Sequence, residues 1–269
     1  VQQATLLYRP REVTIVHGIE MGIFEYPTVA HIAGLQGYKE FRSAVTAAGE
    51  ELLDRTAASL AATSASVKRI NTIGNPAQLI LDAAQTAKAD LVVVGARGRS
   101  RLGEMVLGSV SHRVLMHSAS TTLVVRGGAR PVHRVLVAVE GKEDADRIVQ
   151  WLHTHPFVNS VELCVLSVVV PLRVAEPYMM AGLESWSGVA KTHAEDLVKS
   201  VAASLPASAY NVRTCVAIGE AAPTIAAQAD GMDLIVASTH ARQGLDRFLL
   251  GSVSHSIVHR ASEPVLIVH

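Results

Sequence analysis

Residues Asp90–His112 and Asp233–His255 are one segment written twice, 143 positions apart. The first copy reads DLVVVGARGRSRLGEMVLGSVSH and the second DLIVASTHARQGLDRFLLGSVSH; eleven of the twenty-three aligned positions are identical, and GSVSH is kept whole. Each copy runs on through a short amphipathic stretch into an apolar strand, TTLVVR (Thr121 to Arg126) and EPVLIVH (Glu263 to His269). A period this long is not that of a solenoid, whose units repeat every 20–50 residues or so. It requires two copies of one domain, and differences between the copies become informative about function.

A chain of 269 residues accommodates two such domains at about 100–200 residues each. Apolar content of 49% is ample for two buried cores. The formal net charge of zero argues against a nucleic-acid binder, which normally carries a basic surplus. No run of 18 apolar residues is present to span a membrane, and VQQATLLYRP lacks a signal-peptide pattern. Cys164 and Cys215 sit inside apolar strand-like runs and read as small buried hydrophobes without a disulfide. These features predict a cytoplasmic protein.

In the second half, apolar strands alternate with helices. Strands are expected at His133–Glu140, Ser160–Val170, Asn211–Gly219, Leu234–Ser238 and VLIVH, and helices at Glu143–His155, Gly182–Leu205, Glu220–Asp230 and Gly251–Ala261. That alternation predicts a doubly wound parallel sheet covered on both faces. The first half repeats the order from Glu12–Ile19 onward, with a helix at Lys39–Thr63, a strand at VKRINTI and a helix at NPAQLILDAAQTAKA. VQQATLLYRP reads as a helix tail, so the first repeat is expected to lack its N-terminal strand, which would lie upstream of Val1. The expected organisation is domain 1 at 1–127, a Gly/Pro linker at 128–132 and domain 2 at 133–269.

The chemistry is expected in the loop after the fourth strand. Gly95, Gly98 and Gly108-Ser109 follow the spacing G-x2-G-x9-G-S between a strand end and a helix start. Ligands bind at the carboxyl ends of strands in parallel sheets, glycines admit close backbone approach, and free helix N-terminal amides favour an anion such as phosphate. Arg97, Arg99 and Arg101 add positive charge. Neither the Walker P-loop nor the dinucleotide fingerprint G-x-G-x-x-G occurs.

With this spacing and the closing Pro264-Val265-Leu266-Ile267-Val268, the chain resembles a tandem universal stress protein over essentially its whole length. The resemblance implies strand order 3-2-1-4-5, an ATP cleft at the strand ends, and pairing of domains through their last strands. It implies that Gly95, Arg97 and Gly98 line ribose and phosphate. Gly108, Ser109, Val110 and Ser111 would hold phosphates by backbone and hydroxyl, and Gly18 would contact adenine. The implied ligand is ATP, with Mg2+ as an optional companion. The implied role is nucleotide-dependent regulation or sensing in a stress response, read by a regulatory protein. A nucleotide-independent scaffold and a slow ATPase or autokinase are the alternatives.

The second copy keeps Gly251-Ser252 but has Ser238 for Gly95, Ala241 for Gly98, His240 for Arg97 and Gly244 for Arg101. Glu140 takes the family's acidic position and Lys142 stands where a serine is common. Weak or no ATP binding is expected there, with GSVSH kept as a helix cap. His255 and His259 lie one helical turn apart, a spacing zinc can use. Two ligands do not make a site, so no metal ligand is assigned. No catalytic residue is assigned either; Asp90 is expected to cap a strand entry. The segments Met21–Gly37 and Pro171–Gly188 are candidate lids or partner surfaces. The final strands are apolar edges open to pairing within or between chains.

Overall fold

The computed structural model describes residues 1–21, 36–96, 107–171, 180–239 and 250–269. The candidate lids fall mainly outside these, as do Arg97, Gly98, Arg99, Arg101, His240, Ala241 and Gly244. Among the described residues, no helix is long and apolar enough to cross a membrane.

The second repeat forms β5 (Arg134–Ala138), α5 (Lys142–Thr154), β6 (Val161–Val169), α6 (Met180–Ser204), β7 (Tyr210–Ile218), α7 (Ala221–Gln228), β8 (Leu234–Ser238), α8 (Ser252–Arg260) and β9 (Val265–Val268). Its strands lie side by side as β7-β6-β5-β8-β9, all parallel. Numbered within the repeat, that order is 3-2-1-4-5. The near-continuous apolar runs of β5 and β8 follow from this, since central parallel strands are covered on both faces.

The first repeat contributes α1 (Gln2–Leu7), β1 (Glu12–Ile19), α2 (Gln36–Ala58), β2 (Ser66–Ile73), α3 (Pro76–Ala87), β3 (Leu91–Gly95), α4 (Ser109–His117) and β4 (Thr121–Val125). Its strands are divided: β1 and β2 form a separate parallel pair, whereas β3 and β4 extend the large sheet to β3-β4-β9-β8-β5-β6-β7. Among the described residues no strand joins β1 to β3. The helix expected at Lys39–Thr63 ends at Ala58, because the chain tightens into i→i+3 turns, Leu60 N–H to Ala57 O and Ala61 N–H to Ala58 O. That turn drives Leu60 into a small core with Ile15 and Leu53.

The repeats join through their last strands. β4 runs antiparallel to β9, with Leu123 directly opposite Leu266. Those two residues occupy equivalent positions in the repeats, so a local two-fold relation passes between them. The two larger cores therefore follow the faces of the seven-stranded sheet rather than the repeats. One face holds Val92, Val114 and Leu115 together with Ile235, Ile257 and Val258. The other holds Leu7 and Leu123 together with Val135, Ile148, Trp151 and Leu163. The antiparallel seam at the domain boundary makes both faces continuous, so the two large cores are divided by sheet face.

Helix α1 is held on repeat two. Val158 N–H donates to Leu7 O, and the Gln3 amide exchanges two 2.9 Å hydrogen bonds with the Arg130 backbone. Trp151 Nε1 donates to the Tyr8 hydroxyl at 3.1 Å, and the Tyr8 ring stacks on Phe157. Burial pushes the Tyr8 hydroxyl pKa well above its ordinary value.

Candidate functional site

The end of β3 and the start of α4 are tied to each other. Gly108 N–H donates to Ala96 O at 2.8 Å, and Ala96 N–H donates to Val125 O. Gly108 is the N-cap of α4, with φ −64° and ψ 150°, and makes no side-chain capping hydrogen bond. Ser109 is the first residue of the helix, as expected of the helix start, and its hydroxyl sits at N1, one position past the cap. The first amides of α4 consequently lack a side-chain acceptor from the cap, as an anion cradle requires.

Ser109 is exposed and Val110 half-buried, whereas Ser111 is buried. Ser111 donates its hydroxyl proton to Gly95 O at 2.5 Å. Its counterpart Ser254 donates to Ser238 O at 2.7 Å. The second serine of GSVSH is therefore a staple between helix and strand end in both repeats. The histidine of GSVSH also has a partner, because His112 and His255 face each other with Nε2 atoms 3.3 Å apart. Retention of GSVSH thus has two structural causes beyond the helix start: the serine staple and the histidine contact.

Gly18, near the carboxyl end of β1, is pressed against α3. A Cβ built there would lie 2.7 Å from Pro76 Cα, a backbone atom that cannot swing away. Its glycine identity has a packing cause of its own. A cavity of about 420 Å³ opens beside it between β1 and α2, lined in part by His17, Gly18, Ile19, Gly49 and Leu52. Among the described residues, none of its lining belongs to the Gly95–Ser111 segment. His17 Nδ1 lies 3.0 Å from Asn71 Oδ1, and the Asn71 amide donates to Thr46 O.

The equivalent corner of repeat two is already occupied by protein. Arg147, on α5, donates to Ser238 Oγ at 3.1 Å and to Thr239 O at the carboxyl end of β8. Sequence spacing gave no signal for this arginine, since it arrives from a different helix. Buried Asp144 lies 3.7 Å from the same guanidinium. His269 sits nearby, its pKa depressed to about 4 by burial and then by the Arg147 charge. Lys142 turns outward to Asp146 at 2.8 Å. Cys164 and Cys215 are free thiols on neighbouring strands, and burial raises the Cys164 pKa.

Fold and loop together define a tandem doubly wound α/β protein, each repeat closing its fourth strand with a strand-loop-helix turn that ends in Gly-Ser. The chain belongs to the universal stress protein family, whose profile it matches over residues 9–126 and again over 131–269. It is 26% identical over 198 residues to a universal stress protein of Mycolicibacterium smegmatis, covering 71% of this chain and 65% of that one. It is 39% identical over 87 residues to the universal stress protein YxiE of Bacillus subtilis, covering 32% of this chain and 59% of the relative. The chain thus spans less than two thirds of the length of these curated relatives. Among solved structures, a universal stress protein from Archaeoglobus fulgidus DSM 4304 superposes with a TM-score of 0.63 at 19% identity. It covers 96% of this chain and 87% of its own, a likeness of fold.

Proposed function

We propose that this protein is an ATP-binding regulatory module of the stress response, acting in the cytoplasm, with one nucleotide site in repeat one. Gly95, Arg97 and Gly98 line ribose and phosphate, Gly108 through Ser111 hold the phosphates, and Gly18 lies on the adenine side. The functional division is 1–127, 128–132 and 133–269, with the second domain binding ATP weakly or not at all. Mg2+ accompanies the phosphates where it is present, and a regulatory protein reads the bound state.

The observation that carries this reading is the Gly108-capped start of α4. Gly108 offers the first turn of α4 no side-chain acceptor, and the strand end tied to that turn carries Gly95. At the same corner of repeat two, Ser238 and the Arg147 guanidinium close the strand end. The Ser111 hydroxyl proton is already committed to Gly95 O, so Ser111 contributes its amide, and Ser109 supplies the hydroxyl donor.

The test is nucleotide analysis of the purified chain, followed by ATP titration. One equivalent is expected, and Gly95→Ser with Gly98→Ala should weaken binding at least about tenfold, since the added side chains occupy room that close backbone approach to the ligand needs. Two equivalents would overturn the assignment of a single site. No binding at millimolar ATP would overturn the nucleotide reading and leave the nucleotide-independent scaffold as the function to pursue.

A further inference from the structure

We propose that His112, His255 and His259 form a binding site for a zinc-type divalent transition-metal cation that clamps α4 of repeat one to α8 of repeat two. The pair on α8 was legible as an i,i+4 spacing, but the third ligand comes from 143 residues away and is brought in by the two-fold relation at the β4–β9 seam. One ligand nitrogen from each residue lies within 4.8 Å of the other two. Zn2+ takes imidazole nitrogens at about 2.0–2.1 Å in a tetrahedron, which separates neighbouring nitrogens by about 3.4 Å. The His112 and His255 Nε2 atoms are 3.3 Å apart and already meet that spacing. The His255 and His259 ring centres are 4.4 Å apart and those of His112 and His259 5.9 Å, so a modest rotation of His259 completes a three-nitrogen face.

A second observation points the same way. His259 Nε2 has no accessible surface and no hydrogen-bond partner among the described residues. A buried polar atom without a protein partner is suited to an ion or a ligand. All three residues are half-buried, leaving water to take the fourth position. Arg126 is the charged neighbour bearing on the cluster, and its guanidinium donates to Val258 O, one residue before His259. That charge lowers affinity for a dication and favours a site of moderate strength, filled and emptied by changes in metal supply. Because His112 and His255 lie in the first turns of α4 and α8, an ion here would tie together the two helix starts of the GSVSH motifs. The site stands whether or not repeat one binds nucleotide.

The experiment uses the full chain stripped with a chelator and titrated with Zn2+ against a chromophoric competitor, with Co2+ as an optical probe. One Zn2+ per chain is expected, together with the visible bands of four-coordinate Co2+ and a higher melting temperature in saturating Zn2+. His259→Gln and His112→Gln should each weaken Zn2+ at least about tenfold while leaving the metal-free melting curve nearly unchanged. Should either variant fail to fold, histidine ring resonances of the unaltered chain decide: Zn2+ should perturb three of the twelve histidines, and these should be 112, 255 and 259. Failure to take up Zn2+, or full affinity retained in both variants, would overturn the site.

Discussion

Asp90 and Asp233 hold the same place in the two repeats, and they do different work. The Asp233 carboxylate accepts 2.9 Å hydrogen bonds from the backbone N–H groups of His133 and Arg134, fastening the start of β8 to the start of the central strand β5. The Asp90 side chain is 78% exposed and stands 4.0 Å from His155 Nε2. The expected capping role is thus realised in repeat two, where β5 presents its amides, and not by Asp90. Ser238 and Gly95 show the converse: there a neighbour, Arg147, reaches the side chain that Gly95 lacks. An identical residue carries an interaction only where the framework supplies its partner, and the framework is what separates these repeats.

The largest expected effect tests whether α1 belongs energetically to repeat two. Trp151 is 8% exposed and packs edge-on to Tyr8, so Trp151→Ala should cost about 3–5 kcal/mol in urea unfolding. Tyr8→Phe, which removes the hydrogen bond alone, should cost about 0.5–1.5 kcal/mol. An unchanged Tyr8→Phe midpoint would show that α1 merely rests against its neighbour. Next in size is the aspartate contrast. Asp233→Ala should lose about 1–3 kcal/mol because two strand amides lose their acceptor, and Asp90→Ala should fall within about 0.5 kcal/mol of the parent. Equal losses from the two would erase the distinction drawn here. The smallest effect concerns the ends of α3 and α7. Lys88 caps α3 at φ 47°, and the equivalent Gly231 adopts φ 74°. Lys88→Gly should therefore gain up to about 1 kcal/mol and Gly231→Lys lose about as much, read as opposite shifts in melting temperature.

Much of this molecule was legible from local pattern. The strand Leu234–Ser238 and the strand Glu12–Ile19 have the bounds their apolar runs mark, and the repeat itself announced tandem units. Features that depend on which strand lies beside which were not legible. Continuous cores on the two sheet faces need the antiparallel seam, and no periodicity encodes a seam. Arg147 and His112 reach their corners from 91 and 143 residues away, distances over which spacing says nothing about contact. Gly108-Ser109 was legible as a helix start, but which of the two is the cap was not, because Gly and Ser both serve there and dihedral angles alone decide between them.

The β4–β9 seam carries a last consequence. Both strands belong to one polypeptide, so the contact that separate domains would make by collision is held at a fixed effective concentration. Dilution cannot dissolve it, and a melting midpoint governed by that seam should not move with protein concentration. Fusion also lifts the demand that both sides of the axis stay alike. Position 116 can keep methionine while its counterpart 259 becomes histidine, a divergence that a true pair of identical chains would have to display twice or not at all.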